Sequence, residues 1–335
     1  MELNSISLND FVKLANVIFG RELMSLGMEA RQSGLFLVDN IPQNSGNIRE
    51  YTEIDLEEYA KVKAQGDQAS RAKIQQGYSK FLTSYRVAND IGITYEMRTQ
   101  NKYPEVVRRL TNLARLAVNR MELDLTHRIS FGTATSYTDM DGRTVDTTVG
   151  DTYQLFYTAH TVKGSSTTFR NRLAGNPRLS RGAIEAMERL VVEETINQFG
   201  QKMTIPFDVL WMSDDPNSIN TAMEYLKSIG SPDFTNSAVT NVYKGKYRLC
   251  ILPRIATDAN GNVDSTKRYY WGLASTQHST AHLGVWEEPH LKVPTDLNAG
   301  EEFSTDDWNF GVRAGYGIAI VNANWIKMSS GDGTA

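Results

Sequence analysis

The chain is poor in the residues that carry chemistry. A single cysteine, Cys250, stands among 335 residues, which excludes a disulfide framework, a CxxC redox pair and a cysteine-built zinc site. Packing alone must supply stability, and the expected setting is reducing. Histidine is scarce as well, with five in the chain. No apolar run approaches the roughly 20 residues of a membrane-spanning helix, and MELNSISLNDFVKLANVIFG lacks the basic lead-in and cleavage pattern of a secretory signal. The expectation is a soluble protein made in the cytoplasm. There is no basic block either: 35 Lys and Arg interleave with 39 Asp and Glu for a net charge of −4. Sequence-independent nucleic-acid binding would need cations clustered on one face. A 40% apolar share with 22% charged residues is globular, enough for one large domain or two ordinary ones.

Enzyme signatures fail one by one. There is no GxxxxGK followed by Ser or Thr, no GxSxG, and no GxGxxG opening a helix. His278 and His282 stand four apart in HSTAH, but Ser279 occupies the place where a metalloprotease needs its glutamate, and the segment follows a strand-like run. His127 reads as a solvated or ion-paired group on a helix, and His160 and His290 as isolated. The acidic stretches DMDG, from Asp139, and DANGNVD, 258–264, lack the glycine and glutamate places of a calcium loop and read as tight turns. Glu287-Glu288 and Glu301-Glu302 point apart in extended chain, so neither makes an acid/base pair. Cys250 lies in an apolar strand pattern and reads as a buried, inert thiol. No catalytic constellation, metal site or cofactor motif survives.

What is present is architecture. Leu8, Phe11, Ala15, Ile18 and Leu23 follow helical spacing, with Ser7 or Asn9 as cap. The stretch to Gly77 is polar and charged. Then Phe81, Thr83, Tyr85 and Val87, continued by Ile91, Ile93, Tyr95 and Met97, alternate as one strand, with a bulge expected at Ala88-Asn89-Asp90. The reading over 51–98 is a long two-stranded excursion that needs support from something else. PEVVRRLTNLARLAVNRMELDLTHRISFG follows, free of Gly and Pro from Glu105 to Phe131, a rod of about 40 Å at helical rise. Val107, Leu110, Ala114, Ala117, Met121, Leu125 and Ile129 mark a narrow apolar stripe along it. Further helices are expected from Ser180 and over Ser218–Ile229, and strands at 205–212, 247–255, 268–275 and 310–328. The class is α+β with antiparallel strands and a few long helices.

The order of these segments resembles the major capsid proteins of tailed bacteriophages, the Hong Kong ninety-seven type capsid fold. Four features carry the resemblance: an arm followed by a polar extended loop; the return strand YSKFLTSYRVANDIGITYEM running into a long "spine" helix; FYTAHTVKG with LSRGAIEAMERL, similar to the family's Phe-x-x-x-His before a Leu-Ser helix; and the closing strand pair FGVRAGYGIAIVNANWIKM. It implies an N-terminal arm over 1–32, an extended loop over 51–100 and an axial domain over 151–304. It also implies a peripheral domain from 33–50, 101–150 and 305–335, with the spine helix at 105–131. The implied role is structural, not enzymatic: hexamers and pentamers of this subunit closing an icosahedral shell around double-stranded DNA. Assembly in the host bacterial cytoplasm would place it in the virion capsid. The implied partners are further copies, a separate scaffolding protein, a portal and a decoration protein, with DNA enclosed but not read and no membrane contacted. Inter-subunit contacts are expected from the acidic side of the loop (Glu53, Asp55, Glu57, Glu58), from its return side (Arg71, Lys73, Lys80, Arg86) and from the spine (Arg108, Arg109, Arg115). Lys61, Lys63, Lys73 and Lys80 supply amines of the kind some members crosslink, though spacing cannot show a bond. The competing readings are an encapsulin-like nanocompartment shell, a cytoplasmic α+β hydrolase, and a tail-tube or head-completion protein.

Overall fold

The computed structural model describes residues 7–56, 59–230, 240–294 and 306–333. Helix α1 (Leu8–Ser25) starts at Ser7, whose hydroxyl accepts from the Asp10 amide, a side-chain cap on an otherwise unpaired donor. A single turn, α2 (Glu29–Gln32), leads into β1 (Leu37–Asn40). Strands β2 (Ile48–Leu56) and β3 (Ile74–Thr83) form an antiparallel hairpin. After β4 (Tyr85–Ile93) and α3 (Tyr95–Thr99) comes the rod, α4 (Tyr103–Ser130). Two short ribbons follow, β5 (Ser136–Thr138) with β6 (Thr144–Asp146) and β7 (His160–Thr161) with β8 (Thr168–Phe169). The remainder holds α5 (Arg181–Glu193), β9 (Val209–Met212), α6 (Pro216–Lys227), β10 (Arg248–Ile251), β11 (Trp271–Ala274), β12 (Ala281–Lys292), β13 (Trp308–Ile320) and β14 (Ile326–Ser329). No helix among the described residues is long and apolar enough to cross a membrane.

Two four-stranded sheets organise these elements, β1-β12-β13-β4 and β10-β9-β11-β14. The short parallel pairs β1/β12 and β10/β9 lie at one edge of each. The second sheet is a wall between two cores. Along β9, Val209 and Trp211 point into the core under α4, while Leu210 and Met212 point toward α5 and α6. Strict alternation therefore buries all four residues, as expected of a strand covered on both faces. Helix α4 packs on α1, β4, β13 and the turn 253–256.

Several expectations are corrected here. The alternating run 81–97 is not one strand. It breaks at Ser84 into β3, which pairs only with β2, and β4, which pairs with β13 in the first sheet. Register from Tyr85 to Ile93 is unbroken, so no bulge lies at 88–90, and Tyr95 and Met97 belong to a helical turn. Strand β4, assigned above to the extended loop, is thus an edge of the first sheet. Strand β12, assigned to the axial part, is central in that same sheet. The closing strand pair also divides, since β13 lies in the first sheet and β14 in the second. Finally, α4 is not narrowly striped throughout. From Met121 to His127 every residue is buried, Glu122, Asp124, Thr126 and His127 included.

Candidate functional site

Most of the residues expected above to make inter-subunit contacts lie on the β2–β3 hairpin or the segment that joins its strands. The hairpin is rooted by a notch built from glycine. Gly284 and Gly317 face each other across β12 and β13, and the fully buried Leu82 seats over them beside Ile41, Trp286 and Ala319. A Cβ on Gly317 would lie 2.5 Å from the Thr83 carbonyl oxygen and 2.8 Å from Leu82 Cδ2, and one on Gly284 would lie 2.7 Å from Ile41 Cδ1. Only glycine admits this approach. The Trp286 indole donates to the Gly46 carbonyl at 2.7 Å and so closes the notch.

Two polar clusters hold the hairpin along its own subunit. In the first, Tyr51 stacks on His282 with ring centres 3.8 Å apart, and both reach Asp39 Oδ2, at 2.5 Å and 3.2 Å. Burial lowers the His282 pKa despite Asp39. In the second, Glu53 accepts from Gln198 Nε2 at 2.5 Å and from Asn322 Nδ2, and Asp55 accepts the Gln198 amide at 2.9 Å. Burial, then the Asp55 charge, push the Glu53 carboxyl up to about 7. On the return strand, Lys80 bonds Asp146 at 2.6 Å and Thr148 at 2.7 Å, Gln75 donates to the Lys163 carbonyl, and Lys163 donates to the Gly77 carbonyl.

The predicted contact residues thus have different fates. Glu53, Asp55 and Lys80 are engaged inside their own subunit. Arg109 donates to the Gly92 carbonyl and lies 3.7 Å from Glu105, and Arg115 pairs with Glu22 of α1 at 2.7 Å. Arg86, largely exposed, lies 3.9 Å from Glu287. Arg108, Arg71 and Lys73 are exposed. Glu57 and Glu58 lie outside the described residues. The end of the hairpin is solvent-exposed: this holds for every residue from 59 to 74, including Tyr59, Val62 and Ile74, and none from 59 to 73 is in a strand. The apolar face of α1 (Phe11, Ala15, Phe19) is spent on its own subunit, with Phe11 against Trp308 and Phe310 at 4.9 and 5.6 Å.

The titratable residues elsewhere are structural. His127 is buried, bonds Thr257 at 2.9 Å and is held near a pKa of about 4 by burial and by Lys267, which corrects the solvated reading. His160 is not isolated: it lies fully buried, 2.8 Å from Asp151. His282 sits on a strand, not on a helix with His278. Asp139 and Asp258 each accept backbone amides of their own turns, as tight turns require. An open groove of about 700 Å³ runs between α4, β4 and the 258–262 turn, but its ionised side chains, Arg86, Arg120, Asp141 and Arg254, are all in ion pairs. Among the described residues no group of three or more His, Cys, Asp or Glu is placed to hold a metal. Gln198, Asn322, Asp39 and Tyr51 were invisible to sequence reading, because neutral amides, a lone acid and a lone phenol carry no spacing signal.

No protein-family model matches the chain, and no curated protein matches it. Solved structures do. The capsid of Ralstonia phage GP4 is similar at 11% identity and a TM-score of 0.51, over 88% of this chain and 86% of that one. The virus-like particle from Pyrococcus furiosus is similar at 13% identity and a TM-score of 0.49, over 95% and 98% of the two chains. The capsid of cyanophage P-SCSP1u is similar at 10% identity and 0.49, over 88% and 85%. The likeness to the Ralstonia phage GP4 capsid extends over most of both chains, and the chain has the Hong Kong ninety-seven type phage capsid fold.

Proposed function

We propose that the chain is a major capsid protein that assembles as hexamers and pentamers into an icosahedral shell around double-stranded DNA. It does structural work and turns over no substrate. The observation that carries this reading is the capsid fold over most of the chain, with a hairpin rooted in the first sheet and an end, 59–73, that is exposed throughout. A shell subunit joins many copies, and reaching arms supply that contact area better than compact faces. Tyr59, Val62 and Arg71 of the hairpin end are the contact residues this favours, with Arg86 and Arg108 on the exposed body. Glu53, Asp55 and Lys80 act indirectly, by aiming the hairpin. A scaffolding protein, a portal and a decoration protein are the further partners implied, with assembly in a bacterial cytoplasm.

Negative-stain electron microscopy of the expressed chain tests this. Closed polyhedral shells, tubes or hexameric rings are expected, whereas small uniform particles with measurable turnover overturn it. Particles from the producing cell are expected to protect double-stranded DNA from nuclease. A protein cargo in place of DNA would assign the shell to an enzyme-holding compartment.

A further inference from the structure

At Ser84 the chain steps out of the hairpin and into the first sheet, and the step leaves a cleft. Register between β4 and β13 ends at the Tyr85–Tyr316 pair, so β13 beyond it has β12 on one side and, among the described residues, no strand on the other. Ile318 to Ile320 therefore line one side of an open cleft of about 380 Å³, with the ends of β3 and α4 and strand β6 around the rest. Three cations from three separate elements line it: Lys80 of β3, Arg128 in the last turn of α4, and Arg143 beside β6. The lining carboxylate, Asp146, is already occupied. Its Oδ1 accepts from the Thr148 amide at 2.8 Å and hydroxyl at 2.6 Å, and its Oδ2 accepts from Lys80 at 2.6 Å. Lys80 and Asp146 thus cancel. Arg143 is fixed in place by Asp139, 3.0 Å from its Nε, and by the Tyr85 ring, 3.7 Å from its guanidinium carbon. Arg128 is different. It is half-buried and donates to the Asp146 backbone carbonyl, and among the described residues no carboxylate lies within ion-pair distance of it. The hydroxyls of Thr83, Ser84 and Thr144 line the same cleft and make no hydrogen bond to protein among the described residues.

We propose that this cleft binds a tetrahedral oxyanion of the phosphate class, with the Arg128 and Arg143 guanidiniums as charged donors and the three hydroxyls as neutral ones. A guanidinium presents a planar fork of N–H groups that matches the edge of an oxyanion. A hydroxyl rotates to donate to whichever acceptor arrives. Donors on several walls suit oxygens that point in four directions better than they suit a flat carboxylate. Arg128 tolerates its lack of an acid partner because the C-terminal carbonyls of α4 favour a cation there, and the same placement leaves its charge available to a ligand. All of these donors come from one subunit, so the site does not depend on the shell reading.

Calorimetric titration of inorganic phosphate into the full chain, at ionic strength held constant with sodium chloride, tests it. Wild type is expected to saturate with a Kd in the millimolar range. Arg128→Met is expected to weaken binding about tenfold or more, the loss of one charge-assisted pair. That variant also removes a cation from a helix end, so its stability decides nothing and its affinity is the readout. Thr144→Val leaves every cation in place and is expected to weaken binding about threefold or more. Absence of saturation in wild type by about 20 mM phosphate, or equal affinity in wild type and R128M, overturns the proposal. A short single-stranded thymidine oligonucleotide separates two sources of the same chemistry. Bound phosphate that the oligonucleotide leaves in place assigns the site to the free ion, whereas displacement that R128M abolishes assigns it to a phosphate of a nucleic-acid backbone.

Discussion

Asp124, in the middle of the spine, ties three elements through one carboxylate. Its Oδ2 accepts from the Tyr85 hydroxyl of β4 at 2.9 Å and the Tyr316 hydroxyl of β13 at 2.7 Å, and Arg120 Nε donates to both of its oxygens at 3.1 and 3.2 Å. Burial and the Asp124 charge push both phenol pKa values up, so both tyrosines remain donors at any working pH. Asp124→Ala would leave two buried hydroxyls and one guanidinium edge without an acceptor. Arg120 keeps Asp139 at 2.9 Å and Asp141 at 2.8 Å, so its charge is not stranded. At about 1–3 kcal/mol for each orphaned buried group, and with the stranded-charge extreme avoided, the expected destabilisation is about 3–5 kcal/mol. Urea denaturation followed by tryptophan fluorescence measures it. In a Tyr85→Phe/Tyr316→Phe background the same substitution is expected to cost about 1–2 kcal/mol, since the donors are already gone. A loss below about 1 kcal/mol in wild type, or an equal loss in both backgrounds, would refute the account of this network.

Three further outcomes are expected. Replacing 59–73 by a short Gly-Ser turn should leave the far-ultraviolet circular dichroism and the melting midpoint close to wild type, because none of that segment is buried, yet closed shells should be lost; shells of normal size would sink the extended-arm assignment. His127, buried and neutral, should make stability fall as pH drops from 6.5 toward 4, by roughly 2–3 kcal/mol, because the unfolded chain binds the proton first; His127→Gln should flatten that slope in denaturant titrations at pH 7 and pH 4. Lys327, fully buried and lowered to about 7 by desolvation, should make stability rise between pH 7 and pH 10. Lys327→Met should abolish that rise and leave stability at pH 7 equal or higher by about 1–4 kcal/mol, as read by thermal melting.

Much of the fold was legible because it is written in spacing. A stretch without Gly or Pro between Pro104 and Gly132 became α4 within two residues at its N-terminus and one at its C-terminus. Ser180 capped α5 as its position implied, with its hydroxyl accepting from the Ala183 amide. Where reading failed, the deciding contact lay far along the chain. Alternation continues from Phe81 to Ile93 in one phase, so nothing local says that β3 turns outward while β4 joins β13. Strand β12 escaped notice because Glu287, Glu288 and Pro289 interrupt its apolar pattern at a register shift. His127 was misplaced for a similar reason: a polar residue between Thr126 and Arg128 looks solvent-facing until the 253–267 segment is folded over it. The candidate surface was legible as a polar excursion but not in its division, because charged residues occur both where the hairpin is held to the body and where it is exposed. Only geometry separates Glu53, which touches Gln198 and Asn322, from Arg71, which faces outward.

The glycine notch has a mechanical meaning. Strand β3 has ten residues, about 33 Å at strand rise, and Leu82 between Gly284 and Gly317 is the pivot that sets its angle, which Lys80 and Gln75 then hold along the body. A tilt of about 5° at that pivot would displace the far end by about 3 Å, comparable to the length of a hydrogen bond. The width of a missing methyl group at two positions thus sets where a distant tip arrives, and angular error at the pivot is magnified along the arm. In an assembly of many copies, such tolerances would add around a closed ring, and the curvature of the whole would be gauged by the fit of one leucine over two glycines.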